Sequence, residues 1–575
     1  MRHSSSGGLP STDLLSSSLT RRRFVQGLAL GGAALAVGWP RFSTAAVPEL
    51  AGNVLDLFIG EQQVNFTGRE RTAITVNGSL PAPLLRFREG DALTLRVHNT
   101  LREDTSIHWH GLLLSANMDG VPGLSFHGIA PGSTFTYQFP LQQSGTYWYH
   151  SHSAMQEARG LYGGIIIEPR EPEAFHYDRE HVLVLSDWSD SDPHHILDRL
   201  KKQASYYNYQ QRTVGDFFRD LREQGWAATW ADRKMWGQMR MTPTDLADVS
   251  AATYTYLVNG QTPAGNWTGL FRPGEKIRLR FINAAAMSYF DIRIPGLKMT
   301  VVAADGQNVE PVEIEEFRLG VAETLDVIVQ PVEPAYTVFA QSMDRSGYAR
   351  ATLATAQGLQ ALVPAVDPRV LLGMADMGHD MAGMDGMEDM EGMDHSMHAM
   401  PAQTHPASED SNPGVDMQAA MPMPRLDDPG VGLRDNGRRV LTYADLKSAF
   451  PDPDGREPSR EIELHLTGHM ERYVWSFNGI PFASAEPLQL KYGERVRLVL
   501  VNDTMMEHPI HLHGMWSDLE DEEGNFLVRK HTISMPPGTR RSYRVTADAL
   551  GRWAYHCHLL MHMDAGMFRE VRVEA

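Results

Sequence analysis

Four histidine pairs, each with one residue between its members, are the chemistry-bearing feature of this chain: His108/His110, His150/His152, His511/His513 and His556/His558. Residues i and i+2 of a strand share a face, so each pair aims two imidazoles in one direction. Among 24 histidines in 575 residues, chance supplies roughly one such pair. Position separates these four from chance. His108 follows Asn99 by nine residues and His511 follows Asn502 by nine, while His150 and His556 follow Gly145 and Gly551 by five. Two distant segments therefore present two pairs each at matched places. Eight neutral nitrogen donors suit copper and exceed what one ion needs. Buried imidazoles at that density are costly without a partner, so a copper cluster is expected where the two segments meet.

The only cysteine, Cys557, stands between His556 and His558. On a strand its thiolate points away from the two imidazoles, into the interior of its own domain. His508 precedes the His511 pair, His562 follows Cys557 by five residues and Met567 by ten. Two histidines, a thiolate and a distant thioether are the ligand set of a blue-copper electron-transfer site. One short segment would then bond to two metal centres through adjacent residues. Ser151 occupies the matching place between His150 and His152, so one blue site is expected. A single cysteine also excludes an intrachain disulfide.

The elements that position these residues repeat three times. Phe87-Arg88-Glu89-Gly90-Asp91 leads through an alternating run to Asn99; Phe271-Arg272-Pro273-Gly274-Glu275 leads to Asn283; Leu490-Lys491-Tyr492-Gly493-Glu494 leads to Asn502. In each copy the asparagine falls nine residues after the glycine. Alternation between a Gly turn and an Asn turn reads as a half-buried antiparallel strand. Three copies at wide spacing predict three homologous β-sandwich domains, at 47–170, 171–357 and 436–575, each of a length that suits one sandwich. The middle domain has Ile292 and Ile294, then Ala340-Gln341-Ser342, where the others carry histidines, so it is expected to hold no copper. Its stretch Leu197–Gly225 has helical apolar spacing.

Residues 358–435 are expected to be a flexible Met/His/Asp-rich insert. Met374 to Pro424 holds twelve methionines, ten acidic residues and four histidines, with no lysine or arginine. Met374, Met377, Met381, Met384, Met387, Met390, Met393, Met397 and Met400 recur at intervals of three or four, the spacing of one helix face, and His395 and His398 lie among them. Interspersed glycines weaken such a helix by about 1 kcal/mol each. Thioethers are soft ligands that select Cu(I), which makes these residues candidates for additional copper binding; a disordered acidic linker fits the same composition. Residues 1–46 read as an export leader. Thr20-Arg21-Arg22-Arg23-Phe24-Val25 is a twin-arginine pattern, followed by an apolar glycine-rich stretch and small residues at Ser43–Ala46. That apolar stretch is short for a bilayer span, which needs about 20 residues. The net charge of −19 becomes −23 once the leader is removed, since its five arginines and one aspartate take 52 basic side chains to 47 and 71 acidic ones to 70. Such a surface repels nucleic acid and favours cations.

The motifs His108-Trp109-His110-Gly111, His150-Ser151-His152, His508-Pro509-Ile510-His511-Leu512-His513 and His556-Cys557-His558, with His562 and Met567, resemble those of the multicopper oxidases, in family order and across nearly the whole mature chain. The stretch Tyr206–Gly260 and the Met-rich insert are most similar to the copper-resistance branch in bacterial periplasms. The resemblance implies an all-β protein of three cupredoxin-like Greek-key sandwiches and four copper ions per chain. His508, Cys557, His562 and Met567 would hold the type 1 copper, His108 and His511 the type 2 copper, and His110, His150, His152, His513, His556 and His558 the type 3 pair. Electrons would enter singly at the type 1 site and reduce dioxygen to water at the cluster. Asp119 matches an acid that assists proton delivery in related enzymes, although Asp-Gly is also a turn signal. Met563 stands where some relatives carry a second acid. The expected reductant is Cu(I) in copper tolerance or a small phenol, as in a laccase, and copper sequestration by the insert is the alternative from another class. Expected partners are dioxygen, the reductant, the twin-arginine export machinery and a periplasmic copper chaperone, with no nucleic acid.

Overall fold

The computed structural model describes residues 47–378 and 403–575. The expected leader, the methionines from Met381 to Met400, His395 and His398 lie outside the described residues. Six β-sheets pair into three cupredoxin-like sandwiches, and the repeated runs form the strands Ala92–Asn99, Ile277–Asn283 and Arg495–Asn502. Each is an inner strand, parallel to one neighbour and antiparallel to the other: Val54–Val64 and Thr134–Pro140 in the first sandwich, Arg179–Trp188 and Thr324–Val329 in the second, Arg460–His469 and Arg540–Thr546 in the third.

The asparagine that ends each strand does the same work three times. Asn99, Asn283 and Asn502 are buried. Each side-chain oxygen accepts the N–H two residues on, from Leu101, Ala285 and Thr504. Each amide donates to two carbonyls: Glu103 and Ile129, Ser288 and Leu319, Met506 and Met535. A buried amide must satisfy its donors and acceptor, so this one staples the loop that leads to the next strand. That next strand carries the first histidine pair in the outer domains.

Register then fixes the second pair against the first. His108 faces His150, His511 faces His556, and in the middle domain Ile292 faces Ala340. Gly145 and Gly551, which open the second strands, have φ of +126° and +132°, a region that L side chains rarely adopt. A Cβ there would lie 2.2 Å from the Gly306 carbonyl oxygen and 2.5 Å from Ala116 Cβ, respectively. Arg280 and Asp326 of the middle domain are buried and both hydrogen-bond Thr146 at 2.9 Å, which ties the His150 strand to that domain.

Two expectations change in detail. The chain is mostly β, not all-β, because the middle domain carries helices at Pro193–Leu200, Val214–Gln224 and Trp226–Met239. These divide the stretch read as helical from Leu197 to Gly225 and run past it. Asp192 caps the first helix, Thr213 and Asp216 form a capping box on the second, and Gly225 at φ +81° separates the second from the third. Residues 358–435, expected to be flexible throughout, are packed along both described flanks. Val370, Leu372, Met377, Met417, Leu426 and Leu433 are buried, Met423 bridges to Thr539, and Arg434 pairs with Asp376 and Asp428. Averaged composition hides a few well-spaced apolar anchors. Residues 436–459 run along the middle domain, with bridges from Val440 to Glu316 and from Ser448 to Val309, before the last sandwich opens at Arg460. Among the described residues no helix is long and apolar enough to cross a membrane.

Candidate metal centres

The eight paired histidines converge between the first and last sandwiches. Their ligand atoms fall into groups within 4.8 Å: His110, His150 and His558; His152, His513 and His556; and His108 with His511 beside His110. Seven of the eight are buried and His152 is half-buried. Burial first, then neighbouring imidazoles, hold His110, His150, His152, His511, His513 and His558 well below the ordinary imidazole range, and burial takes His556 to about 4. These rings are neutral, with lone pairs free to bind.

Their hydrogen bonds say where those lone pairs point. His108 Nδ1 donates to the Asp119 carbonyl (2.8 Å), His511 Nδ1 to the His531 carbonyl (2.6 Å), His513 Nδ1 to Asp119 Oδ2 (2.9 Å), His556 Nδ1 to the Cys557 carbonyl (2.9 Å) and His150 Nδ1 to the Ser151 carbonyl (3.0 Å), with the Glu157 carboxylate 2.6 Å away. A donated Nδ1–H leaves Nε2 as an acceptor, the tautomer a metal requires. Nε2 of His108, His150, His511 and His558 and Nδ1 of His110 are buried with no hydrogen-bond partner. His513 Nε2 and His556 Nε2 face each other at 3.0 Å. Two lone pairs so placed repel unless a cation lies between them. The donor set is all-imidazole, and it fits copper.

Cys557 lies on the opposite side of the same backbone. Its register partner is Ile510, one residue before His511, so alternation turns its sulfur away from His556. Sγ is 3.5 Å from His508 Nδ1 and 4.0 Å from His562 Nδ1, and those two nitrogens are 3.2 Å apart. Burial pushes the Cys557 thiol up, so a bound cation must displace its proton. Met567 is fully buried, and its carbonyl accepts the Cys557 N–H at 3.1 Å.

Asp119 lies both in a turn and beside two of the paired histidines. It ends the turn Ala116–Met118 and is 1% exposed, yet its carboxylate spans two ligand sets, reaching His513 Nδ1 at 2.9 Å and His108 Nδ1 at 3.3 Å. Gly120 makes this position possible, since a Cβ there would lie 1.8 Å from the Ile107 carbonyl oxygen. Among the methionines read as extra copper ligands, Met377 is buried in the turn Ala375–Met377 and Met374 packs against the core.

Several neighbours carry no sequence motif. Asp248, from the middle domain, accepts from His562 Nε2 at 2.8 Å, and Thr504 Oγ1 bonds His508 Nε2 at 2.7 Å. Trp475 stacks on His562 with ring centres 4.0 Å apart. His531 lies 3.2 Å from His110 Nε2, and Asp305 accepts its backbone N–H.

The chain belongs to the multicopper oxidases: that family's signatures match residues 59–172, 179–359 and 455–575. It is an oxidoreductase that acts on dioxygen, and the family together with the histidine clusters implies copper as its cofactor. A copper resistance protein A of Escherichia coli is 64% identical, with 96% of this chain and 99% of that one aligned. Another, from Pseudomonas syringae pv. tomato, is 62% identical over 97% of this chain and 100% of its own. Among solved structures, the multicopper oxidase Fet3p superposes with a TM-score of 0.63 at 19% identity over 91% of this chain and 90% of that one. The laccase of Botrytis aclada gives 0.61 at 20%, over 92% and 88%. At those identities the likeness is one of fold.

Proposed function

We propose that this enzyme oxidises Cu(I) in copper tolerance, after export to the bacterial periplasm by the twin-arginine route, with four coppers per chain. Each turnover would join four Cu(I), dioxygen and four protons to give four Cu(II) and two waters. The observation that supports the substrate assignment is a small cavity beside Glu507 whose lining includes Met343 and Met505; its carboxylates, Asp376, Asp428 and Glu507, are paired with Arg434 and Arg318 of the same wall. Thioethers are soft donors that suit Cu(I). The wall runs from Asp376, at the base of the Met-rich insert, to Glu507, the residue before His508. The relatives named copper resistance protein A support the same reading.

In this reading His508, Cys557, His562 and Met567 hold the type 1 copper, His108 and His511 the type 2 copper, and the remaining six histidines the type 3 pair. Copper supplies one-electron carriage at the first site and dioxygen reduction at the cluster. The chain supplies the rest. Nδ1–H donation fixes the tautomer of His108, His511, His513 and His556, contacts at Nε2 orient His508 and His562, burial excludes water, and the peptide segment His556–His558 links the two ligand groups covalently. Asp119, between His108 and His513, is placed to hold or pass a proton at its Oδ2.

The test of the substrate is a deletion with revised bounds. Both flanks of the insert are packed, so removing them would damage the fold. Gly378 accepts from the Met421 N–H and Gln403 donates to the Ala420 carbonyl, so the two ends lie against consecutive residues and a short Gly-Ser linker can replace residues 381–400. Expected: Cu(I) oxidation at low micromolar substrate falls at least about tenfold, a loss of about 1.4 kcal/mol, while oxidation of a phenol is retained. Equal retention of both activities removes the insert from the Cu(I) path.

Asp248 gives a second prediction. A carboxylate on His562 Nε2–H favours the more positive, oxidised ion. Asp248→Asn should raise the type 1 reduction potential, by about 60 mV for each tenfold shift in relative affinity for the two oxidation states. Redox titration of the visible band reads it, and an unchanged potential assigns Asp248 to packing alone.

A further inference from the structure

A second set of converging ligand atoms lies apart from these centres. His405, Glu409, His465 and Asp503 bring four ligand atoms within 4.8 Å of one another. Glu409, His465 and Asp503 are buried, and the His405 side chain is 13% exposed, which leaves an open edge. His465 comes from the strand Arg460–His469. Asp503 follows the stapled Asn502. His405 and Glu409 are four residues apart, across a turn on the flank that returns from the insert.

We propose that these four residues bind a divalent transition-metal ion of the Zn(II) or Cu(II) class. Two imidazole nitrogens and two carboxylates form a donor set that both ions accept. Ligand bonds of about 2.0–2.2 Å place neighbouring donor atoms about 2.8–3.6 Å apart. The observed separations are 3.2 Å from His405 Nδ1 to Asp503 Oδ2, 3.4 Å from His405 Nδ1 to Glu409 Oε2, 3.8 Å from His465 Nδ1 to Glu409 Oε1, and 2.6 Å from His465 Nδ1 to Asp503 Oδ2. These four lie within about 0.2 Å of that range, and all the donor atoms lie within 4.8 Å of one another. Two carboxylates and a divalent ion also make a neutral buried unit.

Two further observations point to a ligand. Glu409 Oε1 is buried without a hydrogen-bond partner and faces the cluster, and an unmet carboxylate oxygen in the interior is costly. The outer contacts are those of a metal site. Glu463 Oε1 lies 3.2 Å from His465 Nε2, the Ala419 N–H donates to Asp503 Oδ1 (2.7 Å), and Gln418 Nε2 donates to Glu409 Oε2 (3.2 Å). A carboxylate on the far nitrogen of a histidine is how proteins orient and strengthen that ligand.

The test loads the copper-replete full chain with Zn(II), removes loose metal by gel filtration, and measures zinc and copper per chain. Expected: wild type retains one metal ion more, zinc or copper, than His405→Ala or Glu409→Gln at equal visible absorption. Glu463→Gln should weaken that ion's binding by about 10–100-fold. Equal total zinc plus copper in the wild type and both variants overturns the site. If a variant fails to fold, the zinc X-ray absorption edge of wild type decides. Imidazole nitrogen with carboxylate oxygen supports the site, and a shell of sulfur or of water alone overturns it. Neither arm depends on whether Cu(I) is the enzyme's reductant.

Discussion

Cys557→Ser gives a folded protein that lacks the intense visible band of a thiolate–copper bond and turns over at least about 1000-fold more slowly, a barrier rise of about 4 kcal/mol. The side chain is fully buried and serine is its close isostere, so the sandwich loses little. The hydroxyl is a hard, weakly acidic donor and cannot replace a soft thiolate between His508 and His562. His556 and His558 stay on the other face, so the imidazole groups keep their members. Metal analysis should fall by about one copper per chain, because the ligand and its affinity go together. A variant that kept the band, or a tenth of the wild-type rate, would place electron entry elsewhere. Full copper protection of cells by this variant would favour sequestration over oxidation as the protein's role.

Asp119→Asn should lower turnover per bound copper by about 100-fold, the lower end of what a positioned proton-transfer group contributes. Asparagine keeps an oxygen to accept the His513 Nδ1–H and changes little in volume, so the contact at 2.9 Å can persist. What goes is the charge and the capacity to take up a proton between His108 and His513. The measurement is the steady-state rate divided by copper content, with Cu(I) and with a phenol. Both should fall together, since the step lies after electron entry. If copper content drops while the rate per copper holds, the carboxylate only orients its two histidines, a role that costs 10–100-fold in affinity.

What could be read from the chain follows from locality. The histidine frame was legible because strand alternation has period two and because Asn99 and Asn502, with Gly145 and Gly551, set fixed offsets. Each offset has a cause in the fold, a three-bond amide staple and a φ that favours glycine. The middle domain's lack of histidines at the matching positions is legible for the same reason, since Ile292 opposite Ala340 occupies the place of His108 opposite His150. Asp248 was not legible. It meets His562 across 314 residues, from a loop after an inserted helix, and no local pattern encodes such a contact. His531 has no partner histidine two residues away, so nothing in the spacing marks it. The packed flanks of the insert were misjudged because composition averages over about fifty residues, whereas docking needs only Met377, Met417 and a few apolar neighbours. His405 and Glu409 were counted as part of that mobile acidic stretch, and His465 was an isolated strand histidine.

The solitary sulfur has a practical corollary. Cys557 is the chain's sole thiol, and no part of it touches solvent. A maleimide reagent therefore labels nothing in the native protein and one position in an opened one. Mass shift after brief exposure becomes a direct tally of molecules whose last sandwich has come apart, with no engineered tag.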